Sequence, residues 1–130
     1  MSETTAASQA FDTLPLSPAM LANLAQLEYL SMTPIQAASL PLALAGNDLI
    51  AQAKTGSGKT AAFGLALLNR LNTSRFAVQA MVLCPTRELA DQVAQQVKLY
   101  AKYTHIRSAV VFGGMDMKPQ TLELKKGVEV

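Results

Sequence analysis

Tryptophan is absent from this 130-residue chain, cysteine and histidine occur once each, and charged residues make up only 15% of it. Each scarcity excludes something. A lone thiol, Cys84, cannot close an internal disulfide, so the framework of a small stapled secreted domain is ruled out. Its setting in Met81-Val82-Leu83-Cys84-Pro85 suits a buried strand end in a reducing compartment. His105 has no Cys or His partner at ligand spacing, which leaves nothing from which to build a zinc site. Eleven Lys and Arg against nine Asp and Glu give a formal charge of +2, and the basic residues are spread along the chain rather than massed. Net charge therefore does not announce nucleic acid, and any such site must be argued residue by residue. No apolar run approaches the roughly 18 residues that cross a bilayer, because Pro, Gly, Asn or a charge interrupts each one, so no membrane partner is expected. The start, Met1 to Ala10, is polar and carries Glu3 without a basic cluster or apolar stretch. It resembles neither a signal nor a transit peptide and reads as a disordered tail, with the cytoplasm as the expected location.

What is present is a 50% apolar composition, enough for one modest core over residues 11–130. Ser17-Pro18 opens a helix that runs to about Leu27, with Ser17 as cap, and Thr33-Pro34 opens a second in the same way. Asp48 to Ala53 reads as a short strand, followed by a Gly-rich turn and an apolar helix from about Lys59 to Leu71. The pattern repeats: a strand over Gln79–Cys84, then a helix over Arg87–Tyr103 with Leu89, Val93, Val97 and Tyr100 on one face. A third strand spans Ser108–Phe112 and ends at Gly113-Gly114. A helical segment around Gln120–Lys126 leads into a further strand at Gly127-Val128-Glu129-Val130. Strands alternating with helices predict an α/β class with a parallel sheet flanked by helices, since parallel neighbours need crossover connections.

The strongest chemistry lies in Ala53-Lys54-Thr55-Gly56-Ser57-Gly58-Lys59-Thr60, between a predicted strand and a predicted helix. Gly56 and Gly58 let the backbone turn tightly and aim N–H groups inward, while the helix that follows points its positive end at the same spot. That geometry suits phosphate: Lys59 reaches the β- and γ-phosphates and the Thr60 hydroxyl is a ligand for Mg²⁺. The strict form of the motif has Gly where this chain has Ala53. A plain Gly/Ser turn is the bland alternative, which the flanking elements disfavour.

Spacing alone leaves the other candidates open. Thr33-x-x-Gln36 is a capping box, in which Gln36 reaches back to the backbone of Thr33, yet its amide could also pair with adenine, with Phe11 stacking on the base. Phe11 and Tyr29 read equally as core. Pro85-Thr86-Arg87-Glu88 marks a strand giving way to a helix: Thr86 reads as its cap, or Arg87 and the first-turn N–H groups face an RNA phosphate. Gly113-Gly114 is a turn, or a place where a sugar-phosphate chain approaches the backbone closely. Lys98 and Lys102 lie one helical turn apart and are read as a solvated face.

Taken in order, Phe11, Thr33-Pro34-Ile35-Gln36, Ala53 to Thr60, Pro85-Thr86-Arg87-Glu88-Leu89-Ala90 and Gly113-Gly114 resemble the DEAD-box RNA helicases. The longer stretches Gln52–Leu65 and Leu83–Ala94 are similar to a bacterial branch of that family that acts on large-subunit ribosomal RNA. The resemblance implies a RecA-like phosphate-loop fold, covered here over roughly the first two-thirds of the family's first domain. It implies ATP or ADP as ligand, with Mg²⁺ at Thr60 and with Thr55, Gly56, Ser57, Gly58, Lys59 and Thr60 around the phosphates. Lys59 and Thr60 are then the residues with a part in catalysis, and Ala53 matches the family's own form of the loop. Phe11 and Gln36 match its adenine-recognising pair, and Pro85, Thr86, Arg87, Gly113 and Gly114 match RNA contacts. Glu28 departs from the family, which commonly has Gly there.

None of the nine acidic residues ends an apolar strand as an Asp-Glu pair, the arrangement that holds the metal ion and orients water. The sequence therefore predicts a nucleotide-binding part of an RNA helicase that does not hydrolyse ATP alone. Its partners are structured RNA and the remainder of the helicase core. A different class, a non-catalytic RNA- or protein-binding module that dimerises through an unpaired sheet edge, stays open. An enzyme acting on DNA fits the loop but not the motifs around it.

Overall fold

A computed structural model describes residues 10–75, 77–102, 104, 106–114 and 116–130. The tail reading for 1–9 falls outside these residues, as do His105 and Tyr103. Ala10 is held in an isolated antiparallel bridge with Ser31, and a single 3-10 turn, Phe11–Thr13, follows it.

The helices form where local signals place them: α1 (Pro18–Gln26), α2 (Pro34–Leu44), α3 (Lys59–Asn69), α4 (Arg87–Tyr100) and α5 (Met117–Lys126). Ser17 Oγ accepts the Met20 N–H at 3.2 Å with Pro18 beside it, satisfying a donor that the first turn leaves free. Thr86 Oγ1 does the same for Leu89 at 3.2 Å, so the capping role of Thr86 is realised. α5 starts earlier than periodicity suggests, because Asp116 caps it through the Lys118 N–H at 3.1 Å.

α1 ends in a Schellman motif, with the Tyr29 N–H on Leu24 O at 2.9 Å and the Glu28 N–H on Ala25 O at 3.1 Å. Glu28 holds the left-handed position, φ 62°, and is the one non-glycine with positive φ among the described residues. The departure at Glu28 thus sits where the backbone favours glycine.

The core is helical. α3 packs against α2 and α4, and α1 touches α4. Leu40 and Leu65 are wholly buried, and Met20, Leu24, Val97 and Tyr100 nearly so. A buried amide clamps two helices: Asn23 Nδ2 donates to Leu99 O at 2.6 Å and to Tyr100 O at 2.7 Å, closing the C-terminal carbonyls of α4 from the side of α1. Burial, with the Tyr29 hydroxyl 3.5 Å away, holds the Tyr100 phenol well above its ordinary range.

The strand segments need correction at the level of local structure. Among the described residues, 48–53, 79–84, 108–112 and 127–130 form no regular ladder. The last of these lies between its expected neighbours: Gln79 and Ala80 donate to Glu129 O, Val130 donates to Arg107 O, and Ala109 donates to Val130 O. The two bonds of Val130 are the slanted pattern of a parallel pair. Elsewhere the sheet plane is open. An apolar cleft of about 570 Å³ lies between Leu49 and Ala51 on one side and Val82 and Leu83 on the other. A strand apolar on both faces needs neighbours along both edges, and no hydrogen-bonded neighbour reaches 48–52 or 81–84. Ile50 and Leu83 are consequently exposed.

Candidate functional site

Left-handed glycines set the loop at the N-terminus of α3: φ is 80° at Gly56 and 87° at Gly58. A side chain at Gly56 would meet nothing within 4 Å, so the mouth of the loop is open. One at Gly58 would collide with Gln36 Nε2, so that wall is closed. Gly58 is also the N-cap of α3 and brings no capping side chain, leaving the first-turn N–H groups turned toward the loop without an acceptor from the chain. Ser57 folds back, its N–H and hydroxyl both on Lys54 O. Lys59 Nζ donates to Ala53 O at 2.7 Å, drawing the ammonium across the loop from helix to entry strand. Uncapped N–H groups at a positive helix end, with one ammonium and no carboxylate bonded to it, fit a polyphosphate. Thr55 and Thr60 flank this cradle on the chain, Thr55 exposed and Thr60 half-buried.

The amide of Gln36 is engaged at both ends. Oε1 accepts the Thr33 N–H at 2.9 Å, which is the Gln36 arm of the capping box. Nε2 donates to Gly58 O at 3.1 Å, tying the start of α2 to the phosphate loop. Thr33 Oγ1 on the other arm is buried with no hydrogen-bond partner, 3.1 Å from where a Gly58 side chain would begin. Phe11 is packed in the core, 4% exposed, with its ring 6.4 Å from that of Tyr29. The Ala10–Ser31 bridge brings its segment alongside the entry to α2.

At the start of α4 the structure joins two motifs that sequence leaves 26 residues apart. Arg87 Nη2 donates to Gly113 O at 2.8 Å, and the guanidinium lies over the Phe112 ring at 5.5 Å. Its Nη2 also stands 3.4 Å from the side-chain position of Gly114. Pro85, Thr86, Arg87, Gly113 and Gly114 therefore lie together, with the fork of Arg87 partly engaged and its other N–H groups outward.

Sequence reading missed the Arg107–Glu129 pair. Glu129 is 2% exposed and accepts the Arg107 backbone N–H at 2.8 Å and its guanidinium at 3.2 Å. Burial alone would raise the carboxyl, but the Arg107 hydrogen bonds and charge outweigh it and hold it below the usual carboxylate range. The one available signal was an acid between two valines in an apolar strand. Among the described residues no three His, Cys, Asp or Glu side chains gather as a metal cluster, and no helix is long and apolar enough to cross a membrane.

Known proteins resemble the chain in sequence and in fold. ATP-dependent RNA helicase DbpA of Escherichia coli is 62% identical over 95 residues, which are 72% of this chain and 21% of that protein. DEAD-box ATP-dependent RNA helicase CshA of Bacillus cereus is 44% identical over 116 residues, 89% of this chain and 22% of that protein. The chain thus spans about a fifth of the length of the curated relatives it matches. Among solved structures, a DEAD box protein of Methanococcus jannaschii superposes with a TM-score of 0.87 at 35% identity, over 93% of this chain and 33% of that one. The RNA helicase Prp28 of Chaetomium thermophilum, bound to ADP, gives 0.77 at 36% identity, over 88% and 29%. These superpositions establish the RecA-like α/β class despite the open sheet plane. The DEAD/DEAH box helicase model matches residues 33–130, and the chain belongs to that family.

Proposed function

We propose that this chain supplies the nucleotide-binding part, and one stretch of the RNA track, of an enzyme that couples ATP binding and hydrolysis to RNA unwinding or remodelling. The observation that carries the reading is the uncapped N-terminus of α3 behind Gly56 and Gly58. Thr55, Gly56, Ser57 and Gly58 line the phosphate path with backbone N–H groups, Lys59 supplies the positive charge, and the Thr60 hydroxyl is the protein's ligand to Mg²⁺. Phe11 and Gln36 match the family's adenine-recognising pair, and to meet a base Phe11 must leave its core packing and Gln36 must give up its bond to Gly58 O. Pro85, Thr86 and Arg87, with Gly113 and Gly114, meet the sugar-phosphate chain. The remainder of the core and structured, ribosomal RNA complete the assembly, in the cytoplasm.

The isolated chain binds ATP and ADP without turning ATP over, since the one buried carboxylate among the described residues is tied to Arg107. Isothermal titration with Mg-ADP tests this: weak binding that Lys59→Ala abolishes is expected, and no binding to the unaltered chain would remove the site assignment. A second reading has its own support in exposed Ile50 and Leu83 and the unbonded amides beside them. A module that pairs edge to edge would show a concentration-dependent dimer in light scattering and RNA binding indifferent to nucleotide.

A further inference from the structure

At the far end of α3 from the phosphate loop, about 16 Å away along an 11-residue helix, lies a cleft of about 550 Å³. Arg70 and Arg75 both line it, together with Gln79 and the apolar side chains of Leu67 and Leu71, and no acidic residue does. Neither guanidinium is engaged. Among the described residues neither the Arg70 nor the Arg75 side chain enters a hydrogen bond or an ion pair. Arg70 lies against Gly46, with Nη1 3.6 Å from that residue's side-chain position.

The wall that presents Arg75 is built to hold still. Gln79 Oε1 accepts the Asn72 N–H at 2.8 Å, and its Nε2 donates to Asn72 O at 2.8 Å and to Arg75 O at 3.2 Å. Asn72 Oδ1 in turn accepts the N–H and hydroxyl of Ser74. These bonds tie the backbone that carries Arg75, so the ordering cost of binding falls mainly on its side chain. The negative end of α3 opposes an anion here, but two of its last carbonyls are covered: Arg70 N–H bonds Leu67 O and Leu71 N–H bonds Leu68 O, each at 3.2 Å. Two unpaired guanidinium forks in one acid-free cleft can each span two oxygens of a tetrahedral phosphate, which a point charge cannot.

We infer that this cleft is a second phosphate-binding site, separate from the nucleotide loop, for an RNA backbone phosphate or a free phosphate ion. The RNA arm rests on the RNA-binding reading above. Amide NMR of the isotope-labelled chain tests it, with octauridylate and inorganic phosphate titrated separately at 50 and 200 mM salt. Shifts centred on the amides of residues 70–80 are expected, from octauridylate alone if the source is RNA and from both if the phosphate is free. Arg70→Gln with Arg75→Gln should abolish those shifts. Arg70→Lys with Arg75→Lys, which keeps charge but not the fork, should retain them at reduced affinity. Two single-strand phosphate contacts correspond to about a sevenfold loss of affinity over that fourfold salt change, and the Gln pair should lose this share. The inference is overturned if both probes leave residues 70–80 unmoved, if the Gln pair binds unchanged, or if octaglutamate moves the same amides with equal affinity. Mg-ADP binding, measured separately with Lys59→Ala as control, stands or falls independently of every one of these results.

Discussion

Replacing Glu28 by glycine should stabilise the fold. Glu28 is exposed, sits at φ 62° at the end of α1, and its N–H is one of the two bonds that close the Schellman motif. A side chain in the left-handed region costs roughly 1–2 kcal/mol, and glycine's greater freedom in the unfolded chain returns about 0.5–1 kcal/mol of that. The net gain is about 0.5–1 kcal/mol, which for a chain of this size raises Tm by roughly 2–5 °C. Charge offers a competing cause, because a carboxylate at the negative end of a helix is itself unfavourable by about 0.3–1 kcal/mol. Glu28→Gln removes the charge and keeps the strain, while Glu28→Ala removes the charge and most of the side chain but retains Cβ. Thermal and urea unfolding followed by circular dichroism separate them. Gly should exceed both, and Asn, which tolerates the left-handed region, should fall between. If Gln or Ala gains as much as Gly, strain is not the cause, and if Gly gains nothing the conformation assigned to residue 28 is wrong.

Three further outcomes follow from contacts described above. Asn23→Ala strips two bonds from the α4 carbonyls in a buried setting, and urea unfolding should show a loss of about 2–3 kcal/mol. Gly58→Ala drives a side chain into Gln36 Nε2 at a φ of 87°; Mg-ADP affinity should fall at least roughly tenfold in titration calorimetry, with stability lower by about 1–2 kcal/mol. Because Glu129 has a depressed carboxyl, its stabilising share is complete above the unfolded value near 4.5 and is lost as pH falls through the lower folded value. Urea midpoints from pH 6 down to pH 2.5 should show that acid-side loss, and Glu129→Gln should flatten it.

Helices were legible in the sequence because their punctuation is local. Ser17-Pro18, Thr33-Pro34 and Thr86 each sit within three residues of the N–H groups they serve, and α1, α2 and α4 begin where those residues place them. The strands read as apolar runs, but pairing is a contact between distant segments, and among the described residues the 48–52 and 81–84 runs have no bonded neighbour. The site divides the same way. Gly56, Gly58 and Lys59 were legible from a contiguous motif. Gln36 posed a choice between cap and reader, whereas the structure shows a cap whose spare arm holds the phosphate loop, 22 residues away. The meeting of Arg87 with Gly113, and of Arg107 with Glu129, depends on tertiary geometry that spacing does not encode.

The one-sided support of the phosphate loop has a thermodynamic consequence. Downstream it is anchored by α3 and by the Gln36 bond, while upstream the 48–52 amides have no acceptors and Lys59 Nζ on Ala53 O is the one tether across. Any ligand that recruits Lys59 must first release that tether, so it gains an ammonium contact and surrenders a backbone one in the same act. Nucleotide binding is then an exchange of partners rather than a simple addition. Its heat should understate the strength of the new contacts, and the freed 48–53 segment carries the compensating entropy.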